Sequence, residues 1–261
     1  MPDPEPVPEA DYVVIESTYG NRIHEPGDPT ELLGSVIERT VQRGGTVVIP
    51  AFAVGRAQSL LYYLWKLKSS GRLSNIPIYL DSPMAINATD LLHAHRDDHR
   101  LRPEDCDRIC GIATYTRDVE GSKGITESSY PKVVISASGM ATGGRVLHHL
   151  KAFAPDRKNT ILFSGFQAAG TRGRAMLQGA REIKIHGQWI PVQAEVADLP
   201  ALSAHADSNE LMRWLSGFRH APARTFIVHG EAEAAEALRV RIDKDLGWDA
   251  SVPRQDQAFD L

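Results

Sequence analysis

Lys132-Val133-Val134-Ile135-Ser136-Ala137-Ser138-Gly139-Met140-Ala141-Thr142-Gly143-Gly144-Arg145 is the stretch that decides the fold. Its apolar, β-branched opening reads as a short buried strand, and the glycine-rich run behind it as a loop. Helical spacing then continues through Phe153. The same order occurs three more times. Thr46-Val47-Val48-Ile49-Pro50 runs through Ala53-Val54-Gly55-Arg56 into a helix from Ala57 to Lys68. Ile76-Pro77-Ile78-Tyr79-Leu80 runs through Asp81-Ser82-Pro83-Met84 into a helix from Ala85. Thr160-Ile161-Leu162-Phe163 runs through Gly165 to Arg174 into a further helix. Repeated strand–loop–helix units of this kind build a parallel α/β sheet. A helix from Asp28 to Arg43, closed by Gly44-Gly45, precedes them.

Ligands of such sheets bind outside the carboxyl ends of the strands. Three of the four loops there combine glycine with arginine: Gly55-Arg56, Gly143-Gly144-Arg145 and Gly170-Thr171-Arg172-Gly173-Arg174. Glycine lets backbone N–H groups approach an anion at a helix N-terminus, and arginine adds a charged bidentate donor. Arg56, Ser138, Gly143, Gly144, Arg145, Gly170, Thr171 and Arg174 are therefore the candidate phosphate-binding residues. None of the loops matches a P-loop or a G-x-G-x-x-G fingerprint. A nucleic-acid backbone suits them better than a mononucleotide cofactor.

Beyond Gly179 the pattern changes. Glu182–Gly187 and Trp189–Val196 alternate as half-buried strands. Two segments then each set a histidine beside a carboxylate: Ser203-Ala204-His205-Ala206-Asp207 and Phe226-Ile227-Val228-His229-Gly230-Glu231. Phe226-Ile227-Val228 reads as a strand, so His229 sits at a strand end. Asp207 or Ser208 reads as the N-cap of a helix carrying Leu211, Leu215 and Phe218. Near the start, Tyr12-Val13-Val14-Ile15 is a strand that ends on Glu16. These residue types at element ends point to a metal or acid–base site, or to surface histidines that share nothing. His93-Ala94-His95-Arg96-Asp97-Asp98-His99 imitates a zinc signature. It has Asp98 where that pattern has histidine, and it continues a helix, so it reads as a polar helix end.

The 261 residues are 42% hydrophobic and 24% charged, with a net charge of −4. Bulk electrostatic binding to nucleic acid is thereby excluded, and a nucleic-acid partner needs a local basic cleft. No apolar run is long enough to span a membrane. Cys106 and Cys110, four apart, read as reduced thiols of a cytoplasmic protein rather than a zinc site. Met1 to Ala10, rich in proline, reads as an extended leader.

Six motifs now stand in order: Ile15-Glu16-Ser17-Thr18-Tyr19-Gly20, Ser82-Pro83-Met84, Ser136-Ala137-Ser138-Gly139-Met140, Gly165-Phe166-Gln167-Ala168-Ala169-Gly170-Thr171, Ser203-Ala204-His205-Ala206-Asp207 and Val228-His229-Gly230-Glu231. Together they resemble the β-CASP family of metallo-β-lactamase-fold ribonucleases, relatives of the cleavage and polyadenylation endonuclease. The resemblance implies an α/β fold: a β-CASP domain of Rossmann-like units over residues 29–179, flanked by metallo-β-lactamase segments at 1–28 and 180–261. It implies Glu16 as motif A, His205 as motif B facing the scissile phosphate, and His229 as motif C, a zinc ligand. Two zinc ions and single-stranded RNA are the implied cofactor and partner. The family's H-x-H-x-D-H motif precedes motif A. The chain is thus expected to be the C-terminal part of a larger nuclease, unable to hold the zinc pair alone.

A zinc-dependent RNA hydrolase, a non-catalytic RNA-binding scaffold subunit and a small-molecule phosphoesterase remain as alternatives. Intact Glu16, His205 and His229 favour the first, and the arginine-bearing rim argues against the third. An incomplete metallo-β-lactamase half is further expected to leave Ile183, Ile185, Ile190, Val192, Ile227 and Val228 without a packing partner. That apolar face, or the edge near Tyr12 to Ile15, is then covered by self-association as a dimer or by a separate chain.

Overall fold

The apolar runs do form strands in the computed structural model, which describes residues 5–260. In chain order the elements are β1 (Tyr12–Glu16), α1 (Pro29–Gln42), β2 (Val47–Pro50), α2 (Arg56–Ser69), β3 (Ile78–Leu80), α3 (Pro83–Ala94) and α4 (Pro103–Cys110). They continue with β4 (Thr114–Tyr115), α5 (Val119–Glu127), β5 (Val133–Ser136), α6 (Val146–Phe153), β6 (Thr160–Phe163) and α7 (Arg172–Leu177). The last are β7 (Glu182–Ile185), β8 (Gln188–Pro191), β9 (Glu195–Asp198), α8 (Ser208–Leu215), β10 (Arg224–Val228), α9 (Ala232–Leu246) and β11 (Ala250–Ser251). The chain divides into two units, residues 26–204 and residues 5–25 with 205–260.

The larger unit is built on a six-stranded parallel sheet of order β4-β3-β5-β2-β6-β9. Its central strands are buried on both faces, which explains their unbroken apolar sequence. Val47, Ile49, Val133 and Ile135 pack into one core with Leu33, Ile37, Leu60 and Leu64 of α1 and α2. Val48, Ile161 and Phe163 point the other way, into a core with Val146, Leu150 and Phe153 of α6. Period-two alternation inside an apolar run thus feeds two helical layers. α1 starts where Asp28 accepts the Thr30 N–H at 2.8 Å, with Pro29 in the first turn.

The sheet of the larger unit takes in a strand beyond residue 180. Val192-Gln193-Ala194 breaks the single strand expected from Trp189 to Val196. The Gln193 and Ala194 N–H groups donate to the Ala154 carbonyl at 2.8 and 2.9 Å. That turn sends β9 alongside β6 with Glu195 opposite Thr160, and Arg39 and Arg43 of α1 and its C-cap clasp the Glu195 carboxylate. The unit ends only at Ala204.

The strands expected to lack a packing partner have one within the chain. β7 and β8 pair as an antiparallel hairpin, and Ile183, Ile185 and Ile190 are buried with Phe153 and Met176, with Val192 packed at the edge. In the smaller unit β10 lies between β1 and β11, all parallel. One face of this sheet, with Val13, Ile15 and Ile227, is buried against Leu211, Leu215, Leu238 and Ile242. The opposite face leaves Val14 67% and Val228 36% exposed.

α5 and β4 carry little sequence signal, since Gly121 and Gly124 lie in α5 and β4 is two residues long. Of the proline-rich leader, residues 1–4 lie outside the described residues, and residues 5–10 carry no regular structure. No helix among the described residues is long and apolar enough to cross a membrane. Cys106 and Cys110 share α4 as free thiols.

One lysine is wholly buried. Lys132 donates to the carbonyls of Ile125 and Ser128 and, at 2.6 Å, to the Ser128 hydroxyl. Its ammonium lies over the rings of Tyr130 and Phe153. Burial, with the nearby Lys158 charge, pushes its pKa down to about 8. The unfolded chain keeps this proton up to its ordinary value of 10.5. In that window the unfolded state binds more protons, so stability rises with pH. Urea unfolding at about pH 8 and about pH 10 should show this rise in the native protein and a smaller one in Lys132→Met. Equal pH slopes would contradict it.

Candidate active site

The smaller unit brings the two histidine segments and the end of β1 together. Parallel pairing sets Glu16 opposite Val228, so the residues that follow each strand emerge side by side. His229 adopts φ +57, a left-handed turn that histidine tolerates better than most residues. Behind it Gly230 is required, since a Cβ there would lie 2.3 Å from Ser17 Oγ and 2.6 Å from the Ser17 carbonyl. The Ser17 hydroxyl donates to the Val228 carbonyl at 2.9 Å and ties the two strand ends.

Thr18 sits at the centre. Its hydroxyl donates to the His229 carbonyl at 3.1 Å and lies 3.3 Å from His229 Nδ1 and 3.4 Å from His205 Nδ1. Because that hydroxyl proton goes to a carbonyl, its oxygen accepts from His229 Nδ1–H, which leaves the His229 lone pair on Nε2. The Glu16 carboxylate accepts the Thr18 N–H at 2.8 Å and stands 3.3 Å from His205 Nδ1. The tautomer that satisfies Glu16 carries its proton on Nδ1 and its lone pair on Nε2. The two imidazoles stack with centroids 5.5 Å apart.

His205 is held from behind by α8. Asp207 caps that helix: it accepts from the N–H groups of Asn209 and Glu210, each at 2.9 Å, while Glu210 accepts the Asp207 N–H at 2.9 Å. Burial raises the Asp207 pKa, but the backbone N–H groups of His24, Glu210 and Asn209 outweigh it and hold the carboxyl below its ordinary value. His24 donates its own N–H to Asp207 and its ring Nε2–H to the His205 carbonyl, both at 2.9 Å. Tyr19 sets its ring edge against His24, 5.1 Å away.

Among the described residues two clusters of donor atoms occur, Glu16/His205/His229 and His24/Asp207/Glu210, the atoms of each lying within 4.8 Å of one another. The second is spent on backbone N–H groups and on the His205 carbonyl. The first has two imidazoles and a carboxylate, a donor set that suits zinc. Glu16 faces His205 at Nδ1 and Thr18 faces His229 at Nδ1, so in both rings Nε2 is the candidate ligand atom. These donors fit as part of a zinc site and do not complete one.

The glycine–arginine loops belong to the larger unit. β5, β2 and β6 are neighbours in the sheet, so these three loops line adjacent positions at its carboxyl edge. Ser138 Oγ accepts from the N–H groups of Thr142 and Gly143. Gly144 has φ +77, and a Cβ there would sit 2.5 Å from the Ala137 carbonyl. Gly170 has φ +80, and Thr171 caps α7 by accepting the Arg174 N–H at 3.2 Å. Arg56 is half-buried at the start of α2, and the half-exposed Arg174 has no side-chain ion pair among the described residues.

Arg145 departs from the expected rim role. Its guanidinium donates to Asp81 at 2.6 Å and to the carbonyls of Thr116 and Arg117. Burial raises the Asp81 pKa, but hydrogen bonds from His149, Ser122 and Arg145 hold it below the usual carboxylate range. This buried anion turns Arg145 inward. His93, His95 and His99 form no metal cluster among the described residues: His93 and His95 face Asp107 and Asp98, and His99 faces the Leu92 carbonyl. The sequence marks Thr18 only by its place in the Ile15–Gly20 motif and carries no signal for His24.

Gly230→Ala should cost about 1–3 kcal/mol, because Ser17 must move to admit a methyl. Gly143→Ala, where a Cβ meets nothing within 4 Å, should change stability by no more than about 0.5 kcal/mol. Urea denaturation of both variants tests the pair, and equal losses would refute the cradle.

Comparison with known proteins breaks the chain between residues 176 and 189, ahead of the end of the larger unit at Ala204. The Beta-Casp domain model matches residues 57–176, and a Zn-dependent metallo-hydrolase RNA specificity domain matches residues 189–253. Ribonuclease TTHA0252 of Thermus thermophilus is 38% identical over 247 residues, covering 91% of this chain and 56% of the relative. Transcription termination factor FttA of Pyrococcus horikoshii is 36% identical, covering 94% of this chain and 40% of that protein. The RNase J-like protein of Methanocaldococcus jannaschii is 32% identical, covering 97% and 60%. The chain therefore spans about half the length of these relatives.

Proposed function

Since the chain belongs to the β-CASP family of metallo-β-lactamase-fold ribonucleases, we propose that it forms part of a zinc-dependent hydrolase of RNA phosphodiester bonds. The observation that carries this reading is the hydrogen-bonded set Glu16, Thr18, His205 and His229. Zinc, when bound, supplies an acidic water and a positive charge beside the phosphate. His229 offers Nε2 as a ligand, with the ring turned by Thr18. Protonated His205 delivers its Nε2 proton to the leaving oxygen, and Glu16 at Nδ1 orients the ring and stabilises the imidazolium. The rim loops of the larger unit, with Arg56, Ser138, Gly143, Gly144, Gly170, Thr171 and Arg174, bind successive phosphates of a single strand.

Zinc needs about four donors, so the remaining ligands come from polypeptide beyond this set. The exposed face bearing Val14 and Val228, beside the free edge of β1, is where such a segment or a second copy would pack. This chain by itself binds at most one zinc ion. Metal analysis after dialysis tests that, and two tightly held ions would refute it.

Cleavage of labelled single-stranded RNA by the intact native protein tests the reading. His205→Ala should lower the rate by about 10²-fold or more, and His229→Ala should reduce bound zinc. Undiminished cleavage and zinc content in both variants would overturn it.

A further inference from the structure

A second basic site lies in the larger unit, between α5 and α6. A cavity of about 410 Å³ opens there, lined by Ser122, Lys123, Thr126, Arg145, His148 and Lys151 with apolar flanks. None of its lining residues is a carboxylate. His148 and Lys151 stand three residues apart on α6 and share one face. Lys123 approaches from α5, and its pair with Glu120 at 2.7 Å is an exposed one that contributes little. Arg145 forms part of the wall while its guanidinium is held by Asp81. Across the rim, the β7–β8 turn sets the His186 ring 5.2 Å from that of His148. His149 turns the other way, buried on Asp81.

Packing does not account for this grouping. Three cationic or protonatable side chains from two helices converge on a space lined by no carboxylate, beside the hydroxyls of Ser122 and Thr126. The spacing fits an anion with several acceptor oxygens, which a lysine pair and an imidazolium can share. The volume exceeds what a bare ion needs and falls within the range of small-ligand pockets. We propose that this cavity is a phosphate-binding site, distinct from the glycine–arginine rim, in which Lys123, His148 and Lys151 hold the phosphate. The site stands on the larger unit alone and does not depend on whether the chain takes part in RNA hydrolysis.

The cavity bears on His148. Partial burial, with the charges of His186, His149 and Lys151, lowers its pKa, and Asp81 opposes them weakly. A bound phosphate adds negative charge beside the ring and must raise that pKa. The measurement is a ¹H–¹⁵N imidazole correlation spectrum of the whole chain, titrated with inorganic phosphate at constant ionic strength. His148 should shift saturably and titrate at higher pH with phosphate present, while the exposed His220 stays put. Lys151→Ala and Lys123→Ala should each weaken binding about tenfold, the loss expected for one charged hydrogen bond. Two further titrations separate the sources. Adenosine 5′-monophosphate binding tighter than phosphate marks a mononucleotide site, and displacement of phosphate by an oligoribonucleotide without a terminal phosphate marks a backbone site. No saturable shift up to about 10 mM, a millimolar affinity being worth only about 4 kcal/mol, would overturn the proposal. An undiminished shift in the folded Lys123→Ala/Lys151→Ala double variant would do the same.

Discussion

The register of β1 on β10 is the constraint on which the candidate active site depends. Side chains of a strand alternate between faces, so a slip of one residue would turn Val13 and Ile15 out of the core and carry Glu16 to the wrong side. The apolar face fixes that register, because Val13, Ile15 and Ile227 are all buried in one cluster. The geometry of this histidine cluster is thus inherited from packing. Once Glu16 lies opposite Val228, Thr18 falls within reach of both imidazoles, and Ser17 closes the strand ends over a glycine that admits no side chain.

The larger unit applies the same economy to its loops. Sheet order brings the β2, β5 and β6 loops side by side, and contacts among them set their shape. The Gln167 amide donates to the Gly139 carbonyl at 3.0 Å, and a Cβ on Gly139 would lie 2.9 Å from the Phe52 backbone nitrogen. Arg172 fastens the β6 loop to the carbonyls of Lys184, Ala141 and Thr142. Such cross-bracing holds backbone N–H groups in place before any ligand arrives, which cuts the ordering cost of binding.

The parallel sheet was legible because strands buried on both faces are apolar throughout and glycine marks their loops. Glu16, His205 and His229 were legible as chemically capable residues at element ends. Thr18 and His24 were not, since their partners lie 187, 211 and 181 residues away and a lone hydroxyl or histidine carries no local pattern. Arg145 reads as a phosphate-binding residue in the sequence because nothing there marks Asp81 as the buried carboxylate that captures it. The split of β8 from β9 was hidden for a related reason: the Ala154 carbonyl that breaks the strand belongs to a distant helix end.

The smaller unit also has an order of assembly written into it. Ser17 and Val228 are 211 residues apart, and residues 26–204 between them form a unit of their own. At translation speeds of about 5–20 residues per second, β1 emerges roughly 10–40 s before its partner strand. Contacts of such long sequence separation form late, because the loop must close before pairing rewards it. The larger unit is therefore complete while β1 is still an unpaired apolar segment. The histidine pair comes into being only when β10 docks, so a nascent or prematurely ended chain carries the folded glycine–arginine loops without the paired imidazoles.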